Sequence, residues 1–542
     1  MNSIPRVPLP VNEPVRGYAP GSPERAELKA ALKVMSSEEI EIPLIIGGRE
    51  VRTGNTDVQV MPHKHGHVLA RYHKAGEAEV RQAVEAALEA QREWANWPWE
   101  DRLAVFLRAA DLLATSWRPV LNGATMLGQS KTSHQAEIDA ACELIDFYRF
   151  NAAFAQQLYS EQPGSLPGMW NRMDHRPLEG FVYAVTPFNF TSIAGNLPTA
   201  PAMLGNVAVW KPAASTVYSG WYVMRLLMEA GVPPGVINFV PGDPVATSGV
   251  LLNDPHLAGV HFTGSTAVFQ NIWKTVGDNI ATYKSYPRLV GETGGKDFIL
   301  AHASADPQAV ATAIVRGGYE FQGQKCSAAS RIYIPESLWP AVKEMTLDMM
   351  SRIRVGDPAD FRNFMGAVID KRAFDKISGY IKHAQQADNV EIIAGGGFDD
   401  SEGYFIEPTL IEAKDPSYRL MCEEIFGPVV TLHVYKDSEW AETLKVVDRT
   451  TPYALTGAVF ANDRAALVEA DRALRNAAGN YYINDKPTGA VVGQQPFGGG
   501  RASGTNDKAG SIVNLLRWIS PRTIKETFAP ARAFEYPFMA EE

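Results

Sequence analysis

A cysteine and a glutamate separated by 34 residues have the side-chain types of a nucleophile and a general base. Cys326 lies in the run GQKCSAASR at residues 323–331, and Glu292 begins the run ETGGK. Since the thiolate is the attacking form of cysteine, the neighbouring cation Lys325 would favour it. The competing interpretation is a buried structural cysteine, which is the more common role of a cysteine taken at random.

The run FTGST at residues 262–266 predicts a turn that contacts phosphate. It follows an apolar strand and precedes a helix-like stretch that ends near Val276. Glycine and small hydroxyl side chains at such a turn let a phosphate group approach the backbone N–H groups of a helix N-terminus. The run lacks the G-x-G-x-x-G spacing of the Rossmann fingerprint, and many α/β turns are similar, so it is weak evidence alone.

Four further side chains have both a structural and a chemical interpretation. Asn189, in the run PFNF, offers an amide that could stabilise negative charge on an aldehyde oxygen. It could equally be a turn residue after Pro187. Lys211, Glu424 and Phe426, taken singly, could be a surface lysine, a solvated glutamate and a core phenylalanine.

Length, charge and cysteine content bound the class of protein. A chain of 542 residues is too long for one ordinary core and predicts two or three domains. The formal charge of −10 argues against a nucleic-acid partner, because no basic surplus exists to neutralise phosphates. The three cysteines (Cys142, Cys326 and Cys422) are too few and scattered for a disulfide framework, which favours a reducing compartment.

Neither the N-terminus nor the longest uncharged segment predicts a membrane role. The first residues lack the charged and apolar regions of a secretory signal. Residues 180–210 contain no charged side chain, but Pro198 and Pro201 would break a helix facing lipid, and several asparagines would make it polar. We therefore expect this segment to form buried core around a site.

The order of the predicted elements indicates an α/β fold. Ser22 and Pro23 begin a helix, short strands follow between residues 42 and 60, and two amphipathic helices cover residues 77–95 and 103–113. After Gly180, strands at 181–185, 207–211, 236–240 and 259–262 alternate with helices such as 218–230 and 246–252. This alternation predicts a parallel sheet with helices on both faces. A second alternating set spans residues 297–460, and residues 523–528 could add an edge strand to a neighbouring sheet.

Three histidines lie within five residues, and imidazole is a common metal ligand. They are His63, His65 and His67, and their alternation is typical of one face of a strand or loop. No cysteine or carboxylate completes a ligand set there, so we expect solvated or structural histidines and no metal site.

The runs around Cys326 and Glu292 together resemble the active-site signatures of the NAD(P)-dependent aldehyde dehydrogenases, and the resemblance covers nearly the whole chain. It implies a Rossmann-like NAD-binding domain, an α/β catalytic domain and a small β oligomerisation flap. The implied boundaries are an N-terminal arm and helix at 1–45, the NAD-binding domain at 46–162 and 183–290, oligomerisation strands and tail at 163–182 and 519–542, and the catalytic domain at 291–518.

The resemblance also implies roles for individual residues. Cys326 would attack the aldehyde, Glu292 would activate water to hydrolyse the resulting thioester, and Asn189 would help to form the oxyanion hole. The NAD cofactor would be bound by Thr186, Phe188, Lys211, Gly264, Ser265, Val268, Glu424 and Phe426.

Within the family, the resemblance is closest to the Δ1-pyrroline-5-carboxylate dehydrogenases, which oxidise L-glutamate γ-semialdehyde to L-glutamate in the second step of proline catabolism. The runs that carry it are NEP at 12–14, GSPER at 21–25, GGYEFQ at 317–322 and the segment 480–504 containing QQPFGG. In this subgroup, the residue after the cysteine and a Gly-Ser pair bind the substrate's charged end. Phe190 and Phe497 would pack on its aliphatic part.

Two positions depart from the subgroup pattern. The Gly-Ser pair is here Gly489-Ala490, so a hydroxyl is absent, although Ser327 and the backbone N–H groups could still bind the carboxylate. A lost hydrogen bond to a charged group would cost about 1.5–3 kcal/mol. Ala214 replaces a glutamate that in many relatives contacts the ribose, so we expect NAD with some tolerance of NADP.

Other functions stay open at this point. One is oxidation of a different semialdehyde, such as succinate semialdehyde; others are a cysteine hydrolase without redox chemistry and a catalytically idle homologue. The resemblance implies a homodimer or higher homo-oligomer, possible contact with a proline dehydrogenase, and a cytoplasmic location (the mitochondrial matrix for a processed eukaryotic chain). No nucleic-acid or membrane partner is expected.

Overall fold

The computed structural model describes residues 4–542, and its strands form six sheets. The strands are β1 (Ile40–Ile42), β2 (Leu44–Ile46), β3 (Arg49–Val51), β4 (Thr56–Met61), β5 (Lys64–His73), β6 (Met169–Pro177), β7 (Phe181–Val185), β8 (Val207–Lys211), β9 (Ile237–Phe239), β10 (Leu257–Thr263), β11 (Arg288–Glu292), β12 (Asp297–Ala301), β13 (Ala329–Pro335), β14 (Val390–Ala394), β15 (Phe398–Asp399), β16 (Phe405–Ile406), β17 (Thr409–Ala413), β18 (Val429–Tyr435), β19 (Tyr453–Ala454), β20 (Thr456–Phe460), β21 (Asn480–Ile483), β22 (Gly500–Arg501) and β23 (Ile519–Thr527).

The helices lie mainly between the strands of the two large sheets. They are α1 (Pro23–Met35), α2 (Glu77–Trp94), α3 (Trp99–Ala114), α4 (Arg118–Gln129), α5 (Ser133–Ala136), α6 (Leu144–Ser160), α7 (Thr191–Met203), α8 (Val217–Ala230), α9 (Pro244–Leu251), α10 (Thr266–Asp278), α11 (Pro307–Tyr319), α12 (Trp339–Ser351), α13 (Lys371–Gln385), α14 (Arg419–Cys422), α15 (Trp440–Arg449), α16 (Arg464–Ala473) and α17 (Ile512–Leu515). A π-helical segment, Glu137–Glu143, joins α5 to α6.

The first large sheet has the strand order β11-β10-β7-β8-β9-β2-β3. Strands β7 to β11 are parallel, and β2 and β3 add an antiparallel edge. The strands predicted at 181–185 and 207–211 match β7 and β8 residue for residue, because short apolar runs buried on both faces are the mark of a parallel strand. The polar residues after each strand therefore lie together at the carboxyl edge of this sheet.

The second large sheet has the order β14-β17-β18-β13-β12-β20-β21. All of its pairs are parallel except that of β14 with β17. Helices cover both faces and give two separate apolar clusters, one on each side of the sheet. The predicted α/β class with two alternating sets is confirmed. The predicted domain boundaries stay predictions, and β2 crosses the one drawn at residue 45.

The uncharged segment forms buried structure, but its prolines do not break the helix as the sequence suggested. Helix α7 runs through Pro198 and Pro201, and nearly all of its residues are buried. Proline at 201 leaves the Leu197 carbonyl without its usual helical donor, and the ring of His261 contacts that carbonyl at 2.9 Å instead. Within residues 4–542, no helix is both long and apolar enough to cross a membrane.

The C-terminal strand β23 covers most of the edge strand predicted at 523–528 and begins four residues earlier. It pairs antiparallel with β6 over nine residue pairs, and the two form a sheet of their own. Trp170 on β6 and Phe528 beside β23 are half exposed or more.

A buried ion pair fixes the start of α7. Lys131 Nζ lies 2.6 Å from Asp139 Oδ2, and neither side chain is exposed. The same carboxylate accepts the backbone N–H groups of Thr191 and Ser192. Asp139 thus caps α7 and sets the position of the residues that precede the helix.

The change Asp139→Asn should therefore lower stability by about 3–5 kcal/mol, because it leaves the Lys131 ammonium buried without a counter-charge. The measurement is the urea midpoint of unfolding. Glu442→Gln is the matched control, since it breaks an exposed pair with Lys445 and should move the midpoint far less. Equal shifts for the two variants would contradict this role of Asp139.

Candidate active site

The predicted catalytic residues lie where the two large sheets meet. β11 ends at Glu292, β12 begins at Asp297, and only residues 293–296 connect the two sheets. Cys326 lies three residues before β13. The site therefore lies between the carboxyl edge of the first sheet and the amino edge of the second.

One cavity of about 490 Å³ contains both the thiol and the carboxyl group. Besides Cys326 and Glu292, its walls include every residue predicted to bind substrate: Phe190, Ser327, Gly489, Ala490 and Phe497. The outermost of these residues, Phe190 and Phe497, are separated by 307 positions along the chain. Their convergence is what the resemblance implied, and their individual roles stay predictions.

The thiol of Cys326 is free and in a setting that disfavours ionisation. Burial raises its pKa well above the usual range, and the carboxyl groups of Asp297 and Glu292 add to the shift. Lys325 does not offset this, contrary to the expectation from sequence, because its ammonium lies 3.0 Å from a carboxylate oxygen of Glu320. The thiol must therefore lose its proton against the effect of burial before it can act as a nucleophile.

Glu292 has the properties of a general base that takes a proton from water. Burial raises its pKa well above the usual value, which moves it towards the range that suits a general base. Its Oε2 atom is buried and has no hydrogen-bond partner among the described residues. The backbone N–H of Gly499 and the charge of Lys508 oppose the shift, while Asp507 adds to it. Lys508 is fixed because its Nζ donates to the carbonyls of Gly479 and Gly498 at 2.8 and 3.0 Å.

Asn189 lies beside the cysteine loop rather than in the cavity wall. Its Nδ2 donates to the carbonyl of Gln324 at 3.2 Å, and the side chain is buried. One amide hydrogen is used in this bond, and the second remains for another acceptor. The Asn189 amide is thus held against the short loop that carries the Cys326 backbone, an arrangement that suits an oxyanion hole.

The residues predicted to bind the cofactor follow the strands of the first sheet. Thr186 follows β7 and accepts a hydrogen bond from Trp210, and Lys211 ends β8. Gly264 and Ser265 lie between β10 and α10, with Val268 half exposed in the first turn of the helix. Ser265 makes no side-chain capping bond, so the first N–H groups of α10 can receive an anion.

The remaining cofactor residues come from the second half of the chain. Phe426 packs edge-to-face on Phe188, with ring centres 5.6 Å apart. Glu424 accepts the backbone N–H of Gly295 at 2.8 Å, and a side chain on Gly294 would collide with the Glu424 carboxylate. The loop of residues 293–296 therefore holds Glu424 in place.

The donor set fits a dinucleotide. The ammonium of Lys211 is buried, and burial lowers its pKa to about 8. Lys296 Nζ, beside Glu424, is buried with no hydrogen-bond partner among residues 4–542. A ligand with hydroxyl and phosphate groups would supply the missing acceptors at a helix N-terminus and two lysines.

Sequence reasoning missed several residues of the cavity wall. Lys486 and Thr488 lie beside the Gly489-Ala490 turn, and Glu143 comes from the π-helical segment. Asn12 and Glu13, noted only as a subgroup marker, line the cavity because the N-terminal arm packs against α6. The lysine stands three residues before the predicted turn, and this spacing was the available signal.

Two of the three clustered histidines make separate hydrogen-bond contacts. His63 Nδ1 lies 3.2 Å from the hydroxyl of Ser130, and His65 Nε2 lies 2.9 Å from the carbonyl of Asp400. In the part of the chain that the structure describes, no three His, Cys, Asp or Glu side chains are placed to hold a metal ion.

Comparison with known proteins decides the family. A model of the aldehyde dehydrogenase family matches residues 51–524. This chain is an aldehyde dehydrogenase.

Two relatives within that family share one name. The mitochondrial Delta-1-pyrroline-5-carboxylate dehydrogenase of Dictyostelium discoideum is 52% identical over 538 residues, which cover 99% of this chain and 96% of that protein. A solved structure of the enzyme of the same name from Mycobacterium tuberculosis, bound with NAD, superposes with a TM-score of 0.97, 55% identity and full coverage of both chains. Proline utilization A from Bdellovibrio bacteriovorus is 30% identical with a TM-score of 0.91, covering 96% of this aldehyde dehydrogenase and 54% of that chain.

The pH dependence of this aldehyde dehydrogenase should respond to Lys508. The positive charge lowers the pKa of Glu292, so Lys508→Met should raise that pKa further and leave less base ionised at a given pH. The ascending limb of the kcat–pH profile should then move to higher pH. Lys508→Arg, which keeps the charge, is the matched control. An unmoved limb, or the same shift in both variants, would contradict the coupling.

Proposed function

We propose that this aldehyde dehydrogenase oxidises L-glutamate γ-semialdehyde, in equilibrium with Δ1-pyrroline-5-carboxylate, to L-glutamate with NAD, the second step of proline catabolism. The observation that carries the proposal is the single cavity shared by Cys326, Glu292 and the Gly489-Ala490 turn. A thiol and a base provide the chemistry, and free backbone N–H groups provide a place for a carboxylate. The names of the relatives support the same substrate.

The reaction begins at the thiol. Cys326 Sγ bonds to the aldehyde carbon, and the carbonyl electron pair becomes an oxyanion that accepts hydrogen bonds from the Asn189 amide and the Cys326 N–H. NAD held by the cofactor residues would supply the acceptor for the hydride that leaves when this oxyanion collapses. Cys326 then carries a thioester. Glu292 takes a proton from water, the resulting hydroxide attacks the thioester carbon, and the Cys326 sulfur leaves.

Different cofactor residues are assigned to different parts of the dinucleotide. The N-terminus of α10 with Gly264, Ser265 and Val268 holds the pyrophosphate, and Lys211 holds ribose hydroxyls. On the nicotinamide side, Glu424 binds the second ribose, and Thr186, Phe188 and Phe426 surround the ring. Ala214 is exposed and carries no charge to repel a 2′-phosphate, which supports some use of NADP.

Different substrate residues are likewise assigned to the aliphatic part and to the carboxylate of the substrate. The rings of Phe190 and Phe497 face the aliphatic part, while Ser327 and the Gly489-Ala490 turn bind the carboxylate. Ser327 Oγ donates to Thr488 Oγ1 at 2.8 Å, so its hydroxyl is already oriented. The ring of Phe190 makes a cation–π contact with the Lys131 ammonium, which lies 4.2 Å from the ring centre.

Two macromolecular contacts belong to the same proposal. The β6–β23 ribbon, with exposed Trp170 and Phe528, is the element through which we expect a homodimer or higher oligomer to form. Contact with a proline dehydrogenase is supported by the likeness to proline utilization A, of which this chain matches 54%.

Absorbance of NADH with a panel of aldehydes tests the proposal. Glutamate semialdehyde should be used with a higher kcat/KM than succinate semialdehyde or a simple aldehyde, because only it fills the whole cavity. Cys326→Ala should abolish turnover, whereas Cys142→Ser, which changes a buried cysteine outside the reaction, should stay active. Equal use of all aldehydes would refute the substrate, and an active Cys326→Ala would refute the mechanism.

A further inference from the structure

The turn that follows β21 presents free hydrogen-bond donors to the cavity. Gly489 adopts a φ of 95°, which places successive N–H groups on one side of the chain. Among residues 4–542, neither the Gly489 N–H nor the Ala490 N–H has a protein acceptor. Two unsatisfied N–H groups beside a cavity form a small site for an anion.

Lys486 completes this concave surface. A Cβ added to Gly489 would lie 3.1 Å from Lys486 Nζ, so the ammonium stands directly over the turn. Its one hydrogen bond runs back to the carbonyl of Thr488 at 3.2 Å. That bond bends the lysine over its own loop, and it leaves two of the three ammonium hydrogens for other acceptors.

The other charged groups of the cavity wall are already paired or neutral. Glu13 binds Arg118 and Arg149, and Lys325 is engaged by Glu320. Burial raises the pKa of Glu143 to about 8, so this carboxyl is protonated at neutral pH. Besides the catalytic Glu292, the remaining wall acid is Asp146, which accepts the side chain of Asn12 and the backbone of Glu13.

Lys486 is the exception. No carboxylate oxygen of the described residues lies within 4.0 Å of its ammonium, although Glu320 attracts it from farther away. A half-buried cation without a counter-ion, next to two free N–H groups, has the chemistry that recognises a carboxylate.

We propose that the Lys486 ammonium, with the N–H groups of Gly489 and Ala490, binds the α-carboxylate of the substrate and so determines specificity. This inference rests on the proposed function and deepens it. A charged donor takes over the part that a serine hydroxyl would have at Ala490. The aldehyde end is then directed towards Cys326 because the carboxylate is fixed at the opposite side of the cavity.

The test compares three aldehydes of the same carbon chain length. Glutamate semialdehyde has both charged groups, 5-oxopentanoate has the carboxylate alone, and pentanal has neither. Lys486→Met should raise KM for the two carboxylates by about 10- to 100-fold, with a smaller change in kcat. Pentanal should be affected far less, because it makes no contact that depends on the ammonium, and its oxidation also shows that the variant is folded.

Two further variants separate charge from shape. Lys486→Arg keeps a cation and should retain most of the preference for carboxylates. Adding Ala490→Ser to Lys486→Met supplies a hydroxyl donor at the same turn and should recover part of the lost affinity. A general loss of packing would be corrected by neither change.

The outcomes distinguish this inference from the proposed function. Equal losses for pentanal and 5-oxopentanoate, or no loss for either, would overturn the role of Lys486. A wild-type enzyme that uses 5-oxopentanoate better than glutamate semialdehyde would overturn the proposed substrate. The comparison of 5-oxopentanoate with pentanal would then still decide whether Lys486 binds a carboxylate.

Discussion

The close packing of residues 293–296 is the constraint on which the site depends. Gly295 lies so near the cysteine loop that an added Cβ would be 2.2 Å from the Cys326 carbonyl oxygen. The loop is also bound on its outer side, where the N–H and hydroxyl of Thr293 donate to Ser503 and Ala502. Because this short connection joins the two large sheets, it brings Glu292 and Cys326 to one cavity. A bulkier residue at Gly295 would separate them.

Burial determines the protonation of the two catalytic side chains. The pKa values of Cys326 and Glu292 are both raised because the cavity removes them from water, and each neutral form is thereby favoured. The raised pKa of Glu292 suits a base that takes a proton from water when the thioester is hydrolysed. The wall behind the cavity is stabilised by a buried ion pair, in which Lys131 Nζ lies 2.6 Å from Asp139 Oδ2. Rigid support from that pair keeps Phe190 against the substrate space.

Much of the fold could be predicted because local patterns determine it. The buried strands β7 and β8 are continuous apolar runs, and Ser22 caps α1 as its side-chain type predicts. The sequence could not show which way a side chain points in the folded protein. Lys325 stands next to the cysteine in sequence, yet its ammonium turns to Glu320. The sequence also did not single out Lys486. Its proposed role depends on the position of its ammonium over Gly489 and on the lack of a carboxylate partner, and both are properties of the folded chain.

The central claim is that Cys326 carries a thioester that only Glu292 can discharge. The direct measurement combines stopped-flow NADH absorbance with peptide mass analysis of Glu292→Gln quenched after one reaction with glutamate semialdehyde. The account predicts a burst of about one NADH per active site, no further turnover, and a glutamyl group on the peptide containing Cys326. Steady turnover without a burst, or an unmodified Cys326 after the burst, would contradict it.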